Sequence, residues 1–141
     1  MNSTTAFVHK EYEAEKASNS YLMSLIAIMV GLPFPIINLL ATFIFYMAHS
    51  KKSYFIRWHC TQALLSQLIL FFVNSIGFWW TINIIYLNAE VSSAYLIYLA
   101  CLVLLNLIEF IATIYAAIET RKGKHVKWIG LGRIVDAIVT K

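Results

Sequence analysis

The chain has 141 residues, of which 60% are hydrophobic and only 13% charged. A soluble domain is normally about a quarter charged, so this chain has too few charges to coat a globule in water. The bases behind its net charge of +4 are gathered at a few places with long uncharged stretches between them, the pattern of a chain dissolved in lipid.

Residues 1–20 form a polar arm in which Lys10 and Lys16 stand against Glu11, Glu13 and Glu15. A cleavable signal would open on bases, so the apolar segment that follows is expected to stay in the mature protein. A membrane-crossing helix needs about 20 mostly apolar residues, at about 1.5 Å each across a hydrocarbon core of about 30 Å. Residues 21–47, 57–80 and 95–118 reach that length. None shows the two-residue alternation of a membrane β-strand, and unbroken apolar runs in lipid must bond their backbone internally as helices. The expected fold is an all-α membrane protein, a bundle of about three transmembrane helices with the first one proline-kinked, followed by a C-terminal amphipathic helix.

Inside the first segment, Gly31-Leu32-Pro33-Phe34-Pro35 interrupts the run. Each proline removes an amide donor and clashes with the preceding turn, so a kink or break is expected at Pro33 and Pro35. The reading carried forward is one kinked spanning helix. The other is a re-entrant hairpin, which returns the N-terminus to the cytoplasm; each half is only about a dozen residues, too short to cross alone.

The next connection carries Lys51, Lys52 and Arg57 without an acid, and the tail carries Arg121, Lys122, Lys124, Lys127, Arg133 and Lys141 against Asp136. The connection between the second and third segments has Glu90 and no base. Bases near helix ends stay on the cytoplasmic side, which places the first connection and the tail inside, and the arm and Glu90 outside. The expected location is a bacterial inner membrane crossed several times, with a cytoplasmic C-terminus. Trp79, Trp80, Tyr95 and Tyr98 fall at the outer interface, and Tyr46, Tyr54, Trp58 and Tyr115 at the inner one, where amphipathic rings are favoured. In the tail, Trp128, Leu131, Val135 and Ile138 recur at helical spacing, with Lys124, Lys127 and Arg133 as lipid-facing bases. A short amphipathic helix on the anionic inner leaflet is expected there. Residues 1–20, 21–119 and 120–141 thus read as the arm, membrane region and tail of one domain.

Glu109 lies well inside the third segment. A carboxylate at the centre of a spanning helix costs about 2.5–3.5 kcal/mol on insertion scales, so it needs partners. At matching depth stand Asn38 on the first segment and Gln67 on the second, with Asn106 one turn from Glu109 and Asn74 two turns from Gln67. These five residues are expected to form one polar layer. As glue, its amides and a protonated carboxyl bond the helices together; as a path, Glu109 serves as a proton or cation site.

His9, His49, His59 and His125 are scattered, without Cys or Asp at metal-ligand spacing, and the five glycines make no phosphate-cradling loop. No serine has a recognisable His–Asp partnership. Cys60 and Cys101 fall near opposite ends of antiparallel neighbours, out of disulfide reach, and read as small packing residues. No catalytic residue, metal or cofactor is expected, and no enzymatic activity.

Phe55-Ile56-Arg57-Trp58-His59-Cys60-Thr61-Gln62-Ala63-Leu64 is the most distinctive stretch. Arg57 is placed to snorkel to headgroups and Trp58 to anchor the helix at the interface, with His59 and Gln62 facing headgroups or another helix. The rival reading is a docking or gating site with His59 titrating near neutral pH. The motif, with Phe55, Arg57, His59, Gln62, Ala63 and Leu64 in its fixed places, resembles the one that opens the second helix in a bacterial family of uncharacterised small membrane proteins. That family is related to the Tic-twenty subunit of the chloroplast inner-envelope protein translocon. The proline-broken first helix and the basic tail around Gly123 and Gly130 are similar too, so the resemblance covers roughly residues 22–139. It implies a helical inner-membrane protein whose chloroplast relatives act in protein import. The expected function is that of a subunit or accessory factor of a membrane protein complex, in protein translocation or membrane biogenesis. The alternative is a small oligomeric transporter or channel using Glu109, and a remote third is a lipid-acting enzyme. Expected partners are membrane lipids and other membrane proteins or further copies of the chain, and not nucleic acid.

Overall fold

The computed structural model describes residues 3–31 and 35–139, with side chains at 6–26, 36–37 and 39–139. Among them all regular structure is helical: α1 (Ser3–Gly31), α2 (Pro35–His49), α3 (Tyr54–Tyr86), α4 (Ser93–Arg121) and α5 (Leu131–Ile138).

The polar arm is the first half of α1 rather than a separate segment, as its Ala, Glu and Lys content favours. Beyond Glu13 one face becomes buried: Ala14, Ala17, Ser18, Tyr21 and Ser24 recur every three or four residues. Small side chains let α1 approach α4 closely, and the Ser18 hydroxyl donates to the Ala117 carbonyl at 2.7 Å.

The first hydrophobic segment does not form one kinked span. It divides into α1 and α2, which pack against each other. Tyr21 of α1 lies 2.7 Å from His59, in the second turn of α3. His49, at the end of α2, is joined to the start of α3 by a short turn in which the Lys52 N–H donates to the His49 carbonyl at 3.1 Å. Both limbs therefore begin or end at the same end of the bundle. The ten residues of α1 beyond Tyr21 rise only about 15 Å, half of a hydrocarbon core of about 30 Å. The chain then reverses, and α2 opens on Pro35, a position where a missing amide donor costs nothing. Pro33 lies outside the described residues. The arm expected opposite the tail thus sits at the same end as the tail.

Both α3, with 33 residues, and α4, with 29, are long and apolar enough to cross a membrane. α3 outruns its apolar stretch, and the polar side chains after Trp80 are satisfied by carbonyls one turn earlier. Thr81 Oγ1 donates to the Gly77 carbonyl at 2.7 Å, and Asn83 Nδ2 to the Trp79 carbonyl at 3.0 Å. At the other side of the connection, the Ser92 hydroxyl accepts the Tyr95 N–H at 3.2 Å and caps α4.

The bundle is thick at one end and thin at the other. The α1–α2 hairpin and α5 surround the first half of α3. After Leu70 only Gly77 of α3 is buried, and before Thr113 only Tyr95 of α4. In this thin half the two helices meet at Gly77, where an added Cβ would lie 2.6 Å from Leu102 Cδ1. Phe72, Ile76, Ile97, Val103 and Ile108 are each more than half exposed. Such a surface suits hydrocarbon, since contiguous apolar patches of this kind are rare on proteins dissolved in water.

Candidate functional site

At the thick end, the first turns of α3 tie three segments together. His59 and Gln62 lie three residues apart and so share a face. The Tyr21 hydroxyl is 2.7 Å from His59 Nδ1 and accepts from Gln62 Nε2 at 2.7 Å. Gln62 Nε2 also donates to the Val126 carbonyl at 3.1 Å, and its Oε1 accepts the Trp128 N–H at 3.1 Å. Which group donates across the Tyr21–His59 bond depends on the imidazole tautomer, since a hydroxyl both donates and accepts, and the tautomer also decides whether Nε2 carries a hydrogen. That Nε2 is buried and makes no hydrogen bond. Ring contacts extend the knot: Phe55–His59 at 4.6 Å between centroids, Trp58–His125 at 4.2 Å, His59–His125 at 5.0 Å and Tyr21–Trp128 at 5.7 Å.

Trp58 does not stand at the surface as an interface anchor. It is fully buried under α5, against Val135 and Val139, because its indole N–H finds a partner there: Asp136 Oδ1 accepts at 2.8 Å. The other Asp136 oxygen accepts from Lys127 Nζ at 2.7 Å, and that ammonium lies 5.7 Å from the centre of the Trp58 ring. The Lys127 bond and then the Trp58 N–H hold the Asp136 carboxyl below the usual carboxylate range. Partial burial, with the nearby Lys127 charge adding to it, lowers the His125 imidazole, while Asp136 pulls the other way. His59 and Gln62 face protein rather than headgroups, and Phe55 and Arg57 are half-buried.

The intramembrane polar residues form two rungs between α3 and α4 rather than one layer. Ser66 Oγ donates to Glu109 Oε1. Asn74 and Asn106 exchange amide bonds at 3.1 and 2.8 Å, and Asn106 also donates to the Leu102 carbonyl at 2.8 Å. Towards the thin end, the Tyr98 hydroxyl donates to the Val73 carbonyl at 2.6 Å, and Thr81 and Tyr95 share a bond of 2.9 Å. Gln67 is buried, yet neither atom of its amide has a partner. Asn38 lies on α2 with its side chain outside the described residues.

Two of the three tail bases expected to face lipid are engaged by carboxylates. Lys124 Nζ is 2.5 Å from Glu119, which raises the lysine above its ordinary range; Lys127 is held by Asp136, and Arg133 is exposed. Cys60 is buried and Cys101 exposed, both free thiols. Among the described residues, no group of three or more His, Cys, Asp or Glu is placed to hold a metal ion.

Tyr21, Ser66, Trp128 and Asp136 are the site residues that sequence reasoning missed. The one available signal was the pairing of His59 with Gln62 on a single helix face, which asks for a hydroxyl from a neighbouring segment.

Fold and site together define a small all-helical protein with two helices able to cross a bilayer and polar bonds running between helices. The model of the MamF/MmsF magnetosome magnetite crystal formation protein family matches residues 17–135, and the chain belongs to that family. No match is found among curated proteins or among solved structures. The family match overturns the relation to Tic-twenty, which rested chiefly on one helix start, where aromatic and basic residues recur in many membrane proteins. The role in protein translocation implied by that resemblance goes with it.

Proposed function

We propose that the protein is a membrane-embedded, non-catalytic subunit of the assembly that forms magnetite crystals in the magnetosome. In this reading α3 and α4 cross the membrane, and the α1–α2 hairpin enters from one side and returns to it. Lys51, Lys52 and the tail bases collect at the thick end, which positive-inside reasoning places in the cytoplasm. The α3–α4 connection with Glu90 then faces the lumen. Its partners are lipids and other membrane proteins or further copies of the chain.

The observation that carries this reading is the use made of polar groups between α3 and α4: Ser66 on Glu109, and Asn74 on Asn106. Bonds of this kind hold the chain's own helices together at about 0.6–2 kcal/mol each, which favours a packing use of these groups over a catalytic one. The test is gentle-detergent purification of wild type beside Glu109→Ala from a magnetosome-forming cell, with mass spectrometry of co-purifying proteins and electron microscopy of the crystals. Defined magnetosome partners with wild type, lost in the variant together with normal crystal size, are expected. Elution of both proteins alone, with unchanged crystals, would sink the subunit reading. Tags at the two termini should be accessible from the same side of the membrane.

Gln67 favours a second reading. Its buried, unpartnered amide adjoins Ser66, the residue that holds Glu109, and such a spot suits a water or a cation in transit. Flux in liposomes that depends on Glu109 would support an oligomeric transporter.

A further inference from the structure

We propose that the start of α5 holds the phosphate of an anionic lipid headgroup. A cavity of about 600 Å³ opens there, lined in part by Lys127, Trp128, Ile129, Arg133 and Asp136. The chain shapes it with two glycines. Gly130, at φ +82°, turns the backbone from Ile129 into α5, a conformation that L side chains rarely adopt. Gly132 lets α5 lie so close to Lys127 that an added Cβ would be 3.0 Å from the Lys127 Cβ.

The cavity carries two bases against one acid, and the acid is already engaged. Asp136 accepts from Trp58 with one oxygen and from Lys127 with the other. Lys127 keeps further N–H donors, since an ammonium has three. Arg133 is exposed and makes no salt bridge among the described residues. Its planar fork matches a phosphate, and Lys127 adds a point charge beside it. Lys124 takes no part, because Glu119 holds it.

The rim identifies a lipid rather than a free phosphate. Ile129, which lines the cavity, is fully exposed. A fully exposed isoleucine in the lining of a basic cavity fits the boundary between headgroups and acyl chains. α5 already lies against the first turns of α3, at the end of a membrane-crossing helix.

The full chain in mild detergent is examined by native mass spectrometry with short-chain phosphatidylglycerol, short-chain phosphatidylcholine and inorganic phosphate. Phosphatidylglycerol should be retained in preference to phosphatidylcholine. Arg133→Gln should weaken that retention about tenfold, the loss of one charge-assisted bond, and Ile129→Ser should weaken it as well. Arg121→Gln, at the end of α4 and outside the cavity, should leave it unchanged. Equal retention of the two lipids overturns the proposal, and so does a loss with Arg121→Gln as large as with Arg133→Gln. Displacement of the lipid by inorganic phosphate at matching concentration, with no effect of Ile129→Ser, overturns it in favour of a free-phosphate site.

Discussion

Removing a single oxygen at Tyr21 separates the hairpin from a spanning first helix. In Tyr21→Phe the ring keeps its packing against Ala63, Ala116 and Ala117, so no cavity opens. Two buried bonds of 2.7 Å are lost, one to His59 Nδ1 and one from Gln62 Nε2. Gln62 keeps its bond to the Val126 carbonyl. His59 keeps nothing, because its Nε2 is already unpartnered. Two net bonds at about 0.5–1.5 kcal/mol each, with a buried ring nitrogen left stranded, give a loss of about 2–3 kcal/mol. The gain from no longer burying a hydroxyl does not cancel this, since only one partner has been made apolar. At about 2–4 °C per kcal/mol for a chain of this size, Tm should fall by roughly 4–12 °C. Circular dichroism of reversible unfolding in detergent reads that shift directly. A change of under about 2 °C would mean the Tyr21–His59 bond is not made, and a spanning α1 would again be open. Adding His59→Leu removes the stranded imidazole and should recover part of the loss, as a coupled pair does.

Three other outcomes follow from the same geometry. Asn74→Leu or Asn106→Leu alone should cost about 0.6–2 kcal/mol in unfolding measurements, and the double variant less than the sum of the two, because each single change strands the other amide. Gly77→Ala should stay within about 1 kcal/mol of wild type, since Leu102 Cδ1 is the movable end of its side chain and alanine favours the helix. Gly77→Leu should separate α3 from α4 at a cost of about 1–3 kcal/mol, read as loss of cross-linking between cysteines placed on the two helices. Docking of α5 should loosen as pH falls, followed by hydrogen exchange across residues 131–138. Both relevant groups have folded pKa values below their unfolded ones, so their support is complete above the unfolded values and is lost on acidification. The His125 contribution starts to go below about 6.5 and that of Asp136 below about 3.9. In Asp136→Asn the second step should be missing.

Depth along a helix is legible in this sequence, and direction around it is not. Counting residues from the helix ends puts Gln67 at the level of Glu109, but the partner is Ser66, one residue and about 100° away on the helix. Hydropathy marks α3 and α4 but clips them. Residues 57–80 and 95–118 satisfy an apolar count, while the helices run Tyr54–Tyr86 and Ser93–Arg121 and take in polar side chains that bond back to carbonyls one turn earlier. Pro33 and Pro35 announce a break without saying where the chain goes next. That is decided by long-range contacts of Ser18 and Tyr21, which leave no periodic trace. The residues 55–64 were legible as a special stretch, but an interface anchor and a buried knot use the same side chains, Trp58 and His59 among them.

The length of α3 also acts as a ruler. At 33 residues it is about 50 Å long, and a hydrocarbon core takes up about 30 Å of that. If Trp79 and Trp80 mark the far interface, the six residues from Thr81 to Tyr86 hold the connection to α4 about 9 Å beyond it as rigid helix. Anything growing or docking on that side would meet Glu90 at a set stand-off from the leaflet, with the spacing fixed by a helical stem rather than by a loop.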